Sequence, residues 1–126
     1  MNVVDSSGWL EYFAAGSNAK FFAAAIEDTT ALLVPVISLY EVFKRVMLQR
    51  DEGFALQAVA SMRQGTIVEV SATMALTAAK LSVEFKLPMA DSLILATARS
   101  YRATLWTQDA DFADVPGVRY KARRGS

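Results

Sequence analysis

Four acidic side chains stand where a carboxylate could act on something outside the chain. Asp5 follows Val3-Val4 and Asp109 follows Leu105-Trp106-Thr107, so each comes just after a stretch that reads as a buried strand. Asp91 shares the i, i+3, i+4, i+7 face of a helix with Ile94, Leu95 and Ala98, which aims its carboxylate inward. Glu41 lies in the first turn of a helix that follows a strand. Each also has an ordinary structural reading. Asp5 is a good N-cap, although Ser6 or Ser7 could cap in its place. Ser38 and Glu41 form an S-x-x-E capping box, and on a helical wheel Glu41 lies opposite the apolar stripe. Asp91 would stabilise a helix N-terminus just after Pro88, and Asp109 with Asp111 suits a turn.

If these carboxylates converge, they need a cation. Two unit charges about 5 Å apart at an effective dielectric near 20 repel by roughly 3 kcal/mol, so several together would protonate or separate. The chain has no histidine and no cysteine. That excludes Ser-His-Asp catalysis, imidazole acid–base pairs, thiolate zinc sites and disulfides, and it fits a reducing cytosol. An all-oxygen ligand set selects hard ions, Mg²⁺ or Mn²⁺. Such ions beside water serve phosphodiester hydrolysis.

The elements that must position these acids alternate. A short strand at Asn2-Val3-Val4 leads through Asp5-Ser6-Ser7-Gly8 into a helix carrying Trp9, Leu10, Tyr12 and Phe13. A second helix follows Ser17-Asn18. Leu32-Leu33-Val34 is the next strand, ended by Pro35, after which Ser38 is expected to cap a longer helix. A helix from Phe54 to Met62, a strand from Thr66 to Val70 and a helix from Met74 to Phe85 come next, broken by Lys86-Leu87-Pro88. Asp91 to Tyr101 is the last long helix, Ala103 to Thr107 a strand, and Val118 to Tyr120 a final one.

Strands that are apolar throughout, alternating with helices, predict an α/β fold with a parallel sheet covered on both faces. Ligands of such sheets bind beyond the carboxyl ends of the strands, where Asp5 and Asp109 stand. At 126 residues one domain is expected; we read 1–122 as that domain and 123–126 as a frayed tail. The closing Arg124-Gly125-Ser126, a native end or a cloning remnant, stays outside the fold argument. No targeting segment or membrane span is visible. Apolar residues make up 53% of the chain and the mean hydropathy is +0.25, which hints at surface used by a partner or a second copy.

The segments Val3-Val4-Asp5-Ser6-Ser7-Gly8-Trp9-Leu10-Glu11, Ser38-Leu39-Tyr40-Glu41-Val42, Leu87-Pro88-Met89-Ala90-Asp91-Ser92-Leu93-Ile94-Leu95-Ala96-Thr97-Ala98 and Thr107-Gln108-Asp109-Ala110-Asp111-Phe112 resemble, in order, the four motif blocks of PIN-domain ribonucleases, and among them the VapC toxins of type II toxin–antitoxin systems. The resemblance implies a three-layer α/β/α fold around a parallel sheet of four to five strands. It implies a cytoplasmic, Mg²⁺- or Mn²⁺-dependent endoribonuclease that inhibits translation. Carried over by motif, Asp5, Glu41, Asp91 and Asp109 would be the catalytic, metal-binding acids, with Ser6, Ser7 and Thr107 as supporting polar groups and Asp111 as a weaker fifth acid. The implied partners are an RNA substrate, a VapB-like antitoxin whose tail fills the acidic cleft, and a second copy in a homodimer. DNA operator binding would come through the antitoxin complex.

Thirteen basic and thirteen acidic residues cancel, so no global field attracts nucleic acid, and phosphate contact must come from local cations. Lys44, Arg45 and Arg50 share a helix with Glu41, and Arg119, Lys121, Arg123 and Arg124 form a basic C-terminal run; of these, Lys44, Arg45, Arg119 and Lys121 are the RNA-binding candidates. Each could equally be a solvated surface charge. Two rival functions remain: a PIN-like protein that binds RNA or a partner without catalysis, and a Mg²⁺-binding receiver-type signalling module. The receiver pattern wants an aspartate after a central strand, where this chain has Pro35. A haloacid dehalogenase type phosphatase would need a second aspartate two residues after Asp5, and Ser7 stands there.

Overall fold

The computed structural model describes residues 1–124; Gly125 and Ser126, the end of the expected tail, lie outside the described residues. The chain runs β1 (Asn2–Val4), α1 (Ser6–Phe13), α2 (Ala19–Ile26), a 3₁₀ turn (Thr29–Ala31), β2 (Leu32–Pro35), α3 (Val36–Gln49), α4 (Glu52–Met62), β3 (Thr66–Val68), α5 (Ala72–Phe85), α6 (Met89–Ser100), β4 (Thr104–Thr107), a second 3₁₀ turn (Ala110–Phe112) and β5 (Val118–Tyr120). All four strand pairings are parallel, in the order β3-β2-β1-β4-β5. The sheet has five strands, the upper end of the four to five expected, and it is parallel throughout, as the apolar strands led us to expect. Receiver-type domains are wound 2-1-3-4-5, so this order removes that rival.

Strand side chains alternate between the two faces, which divides the core. Val3, Leu33 and Leu105 pack under α5 and α6 with Met74, Ala78, Leu81, Ile94 and Leu95. Their neighbours Val4, Leu32, Val34 and Trp106 pack on the other face with Trp9, Phe22, Val42 and Met62 from α1 to α4. Both faces of β1, β2 and β4 are covered by helices, which is why Val3-Val4, Leu32-Leu33-Val34 and Leu105-Trp106 carry no polar alternation. Gly8 lets α1 seat closely: a Cβ there would lie 2.6 Å from Phe22 Cε1 and 2.6 Å from Val4 Cγ1, so α1 and α2 meet over β1 through a residue without a side chain.

Several boundaries differ from the expectation, each for a local reason. Asp51 caps α4 through the Phe54 N–H and Ser71 caps α5 through the Met74 N–H, so both helices begin before the first apolar residue of their pattern. α3 starts at Val36, directly after Pro35, because the fixed φ of proline suits a helix entrance. Ser38 is therefore inside the helix rather than at its cap, and its Oγ is buried without a hydrogen-bond partner. The expected Ser38–Glu41 capping box does not form.

Candidate active site

β1 connects through α1 and α2 to β2 on one side, while β4 pairs with its other side, so the sheet order reverses between β1 and β4. The crevice at such a reversal opens above the strand ends. Val4 is in register with Trp106, and the Asp5 N–H continues the ladder onto the Trp106 carbonyl at 3.1 Å. This places Asp5 beside Thr107, two residues before Asp109. A cleft of about 810 Å³ opens there, lined by Asp5, Ser6, Ser7, Glu41, Asp91 and Asp109 together with Lys44, Arg45, Gln108 and Arg123.

Asp5 is both cap and cleft residue, which corrects the expectation that Ser6 or Ser7 would release it. Its Oδ1 accepts from the Gly8 N–H at 3.0 Å and from Ser7 Oγ at 2.7 Å; its Oδ2 accepts from Thr107 Oγ1 at 2.7 Å. It is 2% exposed. Burial pushes its carboxyl up to about 6, against those three hydrogen bonds, and the Asp109 charge adds to the rise. Thr107 Oγ1 also accepts from the Asp109 N–H at 2.9 Å, so one buried hydroxyl fixes both acids. Glu41 reaches across from α3, and its Oε1 accepts from Ser6 Oγ at 2.6 Å. The serine that meets Glu41 is thus 35 residues away rather than three.

Asp91 occupies the first turn of α6, where the helix dipole favours its charged form. Its surroundings outweigh that. Burial and then the charges of Asp109, Asp5, Glu41 and Asp111 hold its carboxyl up at about 7. Asp91, Asp109 and Asp111 each offer an oxygen within 4.8 Å of the other two. The Asp111 N–H donates to Asp109 Oδ1 at 2.9 Å, which keeps that pair in a turn. Oxygens around a six-coordinate Mg²⁺ lie ~3 Å apart when adjacent and ~4 Å apart when opposite, so three carboxylate oxygens already within 4.8 Å of one another fit a hard divalent ion after a small inward shift. Asp111, the weakest of the five acids in the sequence, belongs to the tightest group, while Asp5 and Glu41 stand beside it, pinned by hydroxyls.

Of the basic candidates, Lys44 and Arg45 line the cleft. Arg119 stacks over Trp106 at 4.2 Å and Lys121 lies 5.7 Å from the Phe21 ring, and neither is among the lining residues. Sequence reasoning missed Gln108 and Asn18, which are 4% and 1% exposed. Asn18 Nδ2 donates to Gln108 Oε1 at 3.0 Å, and Gln108 Nε2 donates to the Ser7 carbonyl at 3.3 Å. No spacing rule links residues so far apart.

Replacing Thr107 by valine keeps the shape but removes the donor to Asp5 and strands the Asp109 N–H. Supporting residues around metal ligands are generally worth about 10- to 100-fold. A loss of that size in Mn²⁺ affinity is expected for Thr107→Val, measurable by titration with electron paramagnetic resonance; unchanged affinity would remove Thr107 from the site.

A family model for the PIN domain matches residues 3–118. No match is found among curated protein sequences. Among solved structures, the chain is similar to a toxin–antitoxin complex from Klebsiella pneumoniae, with 26% identity, a TM-score of 0.78, and 94% of this chain and 95% of that one covered. It is also similar to VapC20 of Mycobacterium tuberculosis, a sarcin-ricin loop cleaving toxin, with 17% identity, a TM-score of 0.77 and coverage of 94% and 98%. VapBC2 from Rickettsia felis, bound to a promoter DNA fragment, matches at 15% identity and a TM-score of 0.73, with 96% and 97% covered. With its parallel five-stranded sheet, its carboxylates gathered at the β1–β4 reversal and a family match across nearly its whole length, the chain belongs to the PIN domain family.

Proposed function

We propose that the protein is a metal-dependent endoribonuclease of the VapC type, the toxin of a toxin–antitoxin pair, which inhibits translation by hydrolysing RNA. The observation that carries this reading is that Asp5, Glu41, Asp91 and Asp109, drawn from four separate parts of the chain, line one cleft with Lys44 and Arg45 at its side. Asp91, Asp109 and Asp111 would hold Mg²⁺ or Mn²⁺, with Asp5 and Glu41 completing the acidic wall. When bound, the ion supplies a water acidic enough to attack a phosphodiester and a counter-charge for its oxygens.

The chain's own residues do the rest. Ser7, Gly8 and Thr107 orient Asp5, Ser6 orients Glu41, and the Asx turn orients Asp109. Lys44 and Arg45 offset the repulsion between this acidic wall and an incoming phosphate chain. Solved relatives that are toxin–antitoxin complexes, one bound to promoter DNA, support an antitoxin partner; its tail would cover the acidic cleft and the complex would carry any operator binding. Exposed Leu76 and Val83 on α5, away from the cleft, offer apolar surface for a homodimer. No helix among the described residues is long and apolar enough to cross a membrane; the cytoplasm, where its RNA substrate would be, is the proposed place of action.

The test is direct. Purified protein should cut RNA in Mg²⁺ or Mn²⁺ and stop on addition of EDTA, with 5′ and 3′ end sequencing of the products giving the target. Protein that cuts no RNA with either ion, after removal of any antitoxin, would overturn the reading in favour of a PIN domain that binds without catalysis.

A further inference from the structure

Within the C-terminal run of basic residues, the fold separates Arg119 and Lys121, which lie near aromatic rings, from Arg123, which lines the acidic cleft. Arg119 and Lys121 lie against Trp106 and Phe21, whereas Arg123 lines the cleft with Asp5, Asp91 and Asp109. What brings it there is a buried amide. The Lys121 N–H donates to the Thr107 carbonyl at 3.0 Å, extending the chain along β4 past the last strand residue, and Asn18 Nδ2 then donates to the Ala122 carbonyl at 3.1 Å. Asn18 directly precedes α2, where an asparagine ordinarily caps the helix, yet it makes no capping bond. Both of its amide bonds instead join distant segments, one to Ala122 and one to Gln108, which in turn bonds Ser7 beside Asp5.

We propose that Arg123 contacts a phosphate of the RNA at the part of the cleft next to the start of α2, and that Asn18 is the positioning residue that holds it there. Lys44 and Arg45 come from α3, so the cleft takes its cations from two separate segments of the chain. A polyanion laid across the carboxylates of this cleft needs counter-charge at more than one point, because a single cation would leave the rest of the strand repelled. Arg suits this place, since its planar fork matches phosphate oxygens. The proposal rests on the nuclease reading above and deepens it by assigning how the substrate backbone lies.

The experiment is steady-state cleavage of a fluorescein-labelled single-stranded oligoribonucleotide of mixed sequence in Mn²⁺, across a series of KCl concentrations. Arg123→Ala should raise KM roughly tenfold, the scale of one charge-assisted contact, with kcat little changed. The slope of log kcat/KM against log salt should flatten by about 0.7, the value for one phosphate contact on a single strand. Arg123→Lys should recover most of the salt slope. Asn18→Ala should raise KM in the same salt-dependent way, and the double variant should be no worse than Arg123→Ala alone. Should Asn18→Ala fail to fold, Asn18→Asp, equal in size but without an N–H to give, must show the same KM effect. Additive effects, or an Asn18 variant that lowers kcat and melting temperature while leaving KM intact, would overturn the positioning role. Unchanged KM in Arg123→Ala, with a wild type that cuts, overturns this proposal alone; a wild type that cuts nothing overturns the nuclease reading and this with it.

Discussion

Replacing Asp91 by asparagine is expected to slow RNA cleavage roughly a thousandfold, about 4 kcal/mol of barrier, while raising the melting temperature of the metal-free protein. Both effects come from one cause. Asp91 is held in a partly buried position among Asp109, Asp5, Glu41 and Asp111, and its carboxyl is pushed up to about 7 by burial first and by those charges next. A neutral amide relieves the repulsion and so stabilises the fold, but it removes one carboxylate from the group of three proposed to hold the ion. Initial cleavage rates in Mn²⁺, together with thermal melts in EDTA at pH 8, check the pair of outcomes. A variant that loses activity and stability together would place Asp91 among structural residues instead, since a helix-end carboxylate that merely caps is stabilising when charged.

The metal-free protein is expected to become less stable as pH rises from about 4 to about 7, opposite to the usual acid denaturation of carboxylate-rich proteins. Asp5 titrates at an ordinary 3.8 when unfolded and at about 6 when folded, so between those values the folded state holds the extra proton. Its contribution is fully present below 3.8 and is lost as pH passes through about 6; at about 1.4 kcal/mol per pH unit the loss is of order 3 kcal/mol. Asp91, raised to about 7, acts in the same direction over a slightly higher window. A bound divalent ion reverses the sign, because it competes with those protons and its affinity increases with pH. At a hundred times its dissociation constant it adds about 2.7 kcal/mol. Urea denaturation at pH 5 and pH 7.5, with EDTA and with Mn²⁺, reads this out. Stability that increases with pH in EDTA and ignores Mn²⁺ would mean that the acids are not crowded.

Much of the fold was legible because its signals are local. Val3-Val4, Leu32-Leu33-Val34 and Leu105-Trp106 are apolar on both faces, and that pattern alone implies parallel strands between two helical layers. Helix starts were less legible. Asp51 and Ser71 are capping residues set before the apolar periodicity begins, and Ser38, which has the better capping sequence, was overridden by Pro35. The candidate acids could be picked out because strand ends and a helix face mark them. Their relative standing could not. Asp111 gained and Glu41's capping role vanished through contacts with Asp109 and Ser6, and the latter spans 35 residues. Asn18 was invisible for the same reason, its partners being 90 and 104 residues away.

The pairing of β1 with β4 joins the second residue of the chain to Thr104. As the polypeptide emerges from a ribosome, everything up to α6 can collapse while Asp5 still lacks Thr107 and Asp109, so a growing molecule carries no assembled centre. Under the toxin reading proposed above, harm to the cell making it begins only once Thr107, 102 residues after Asp5, has been synthesised, which leaves that interval for an inhibitor to be at hand.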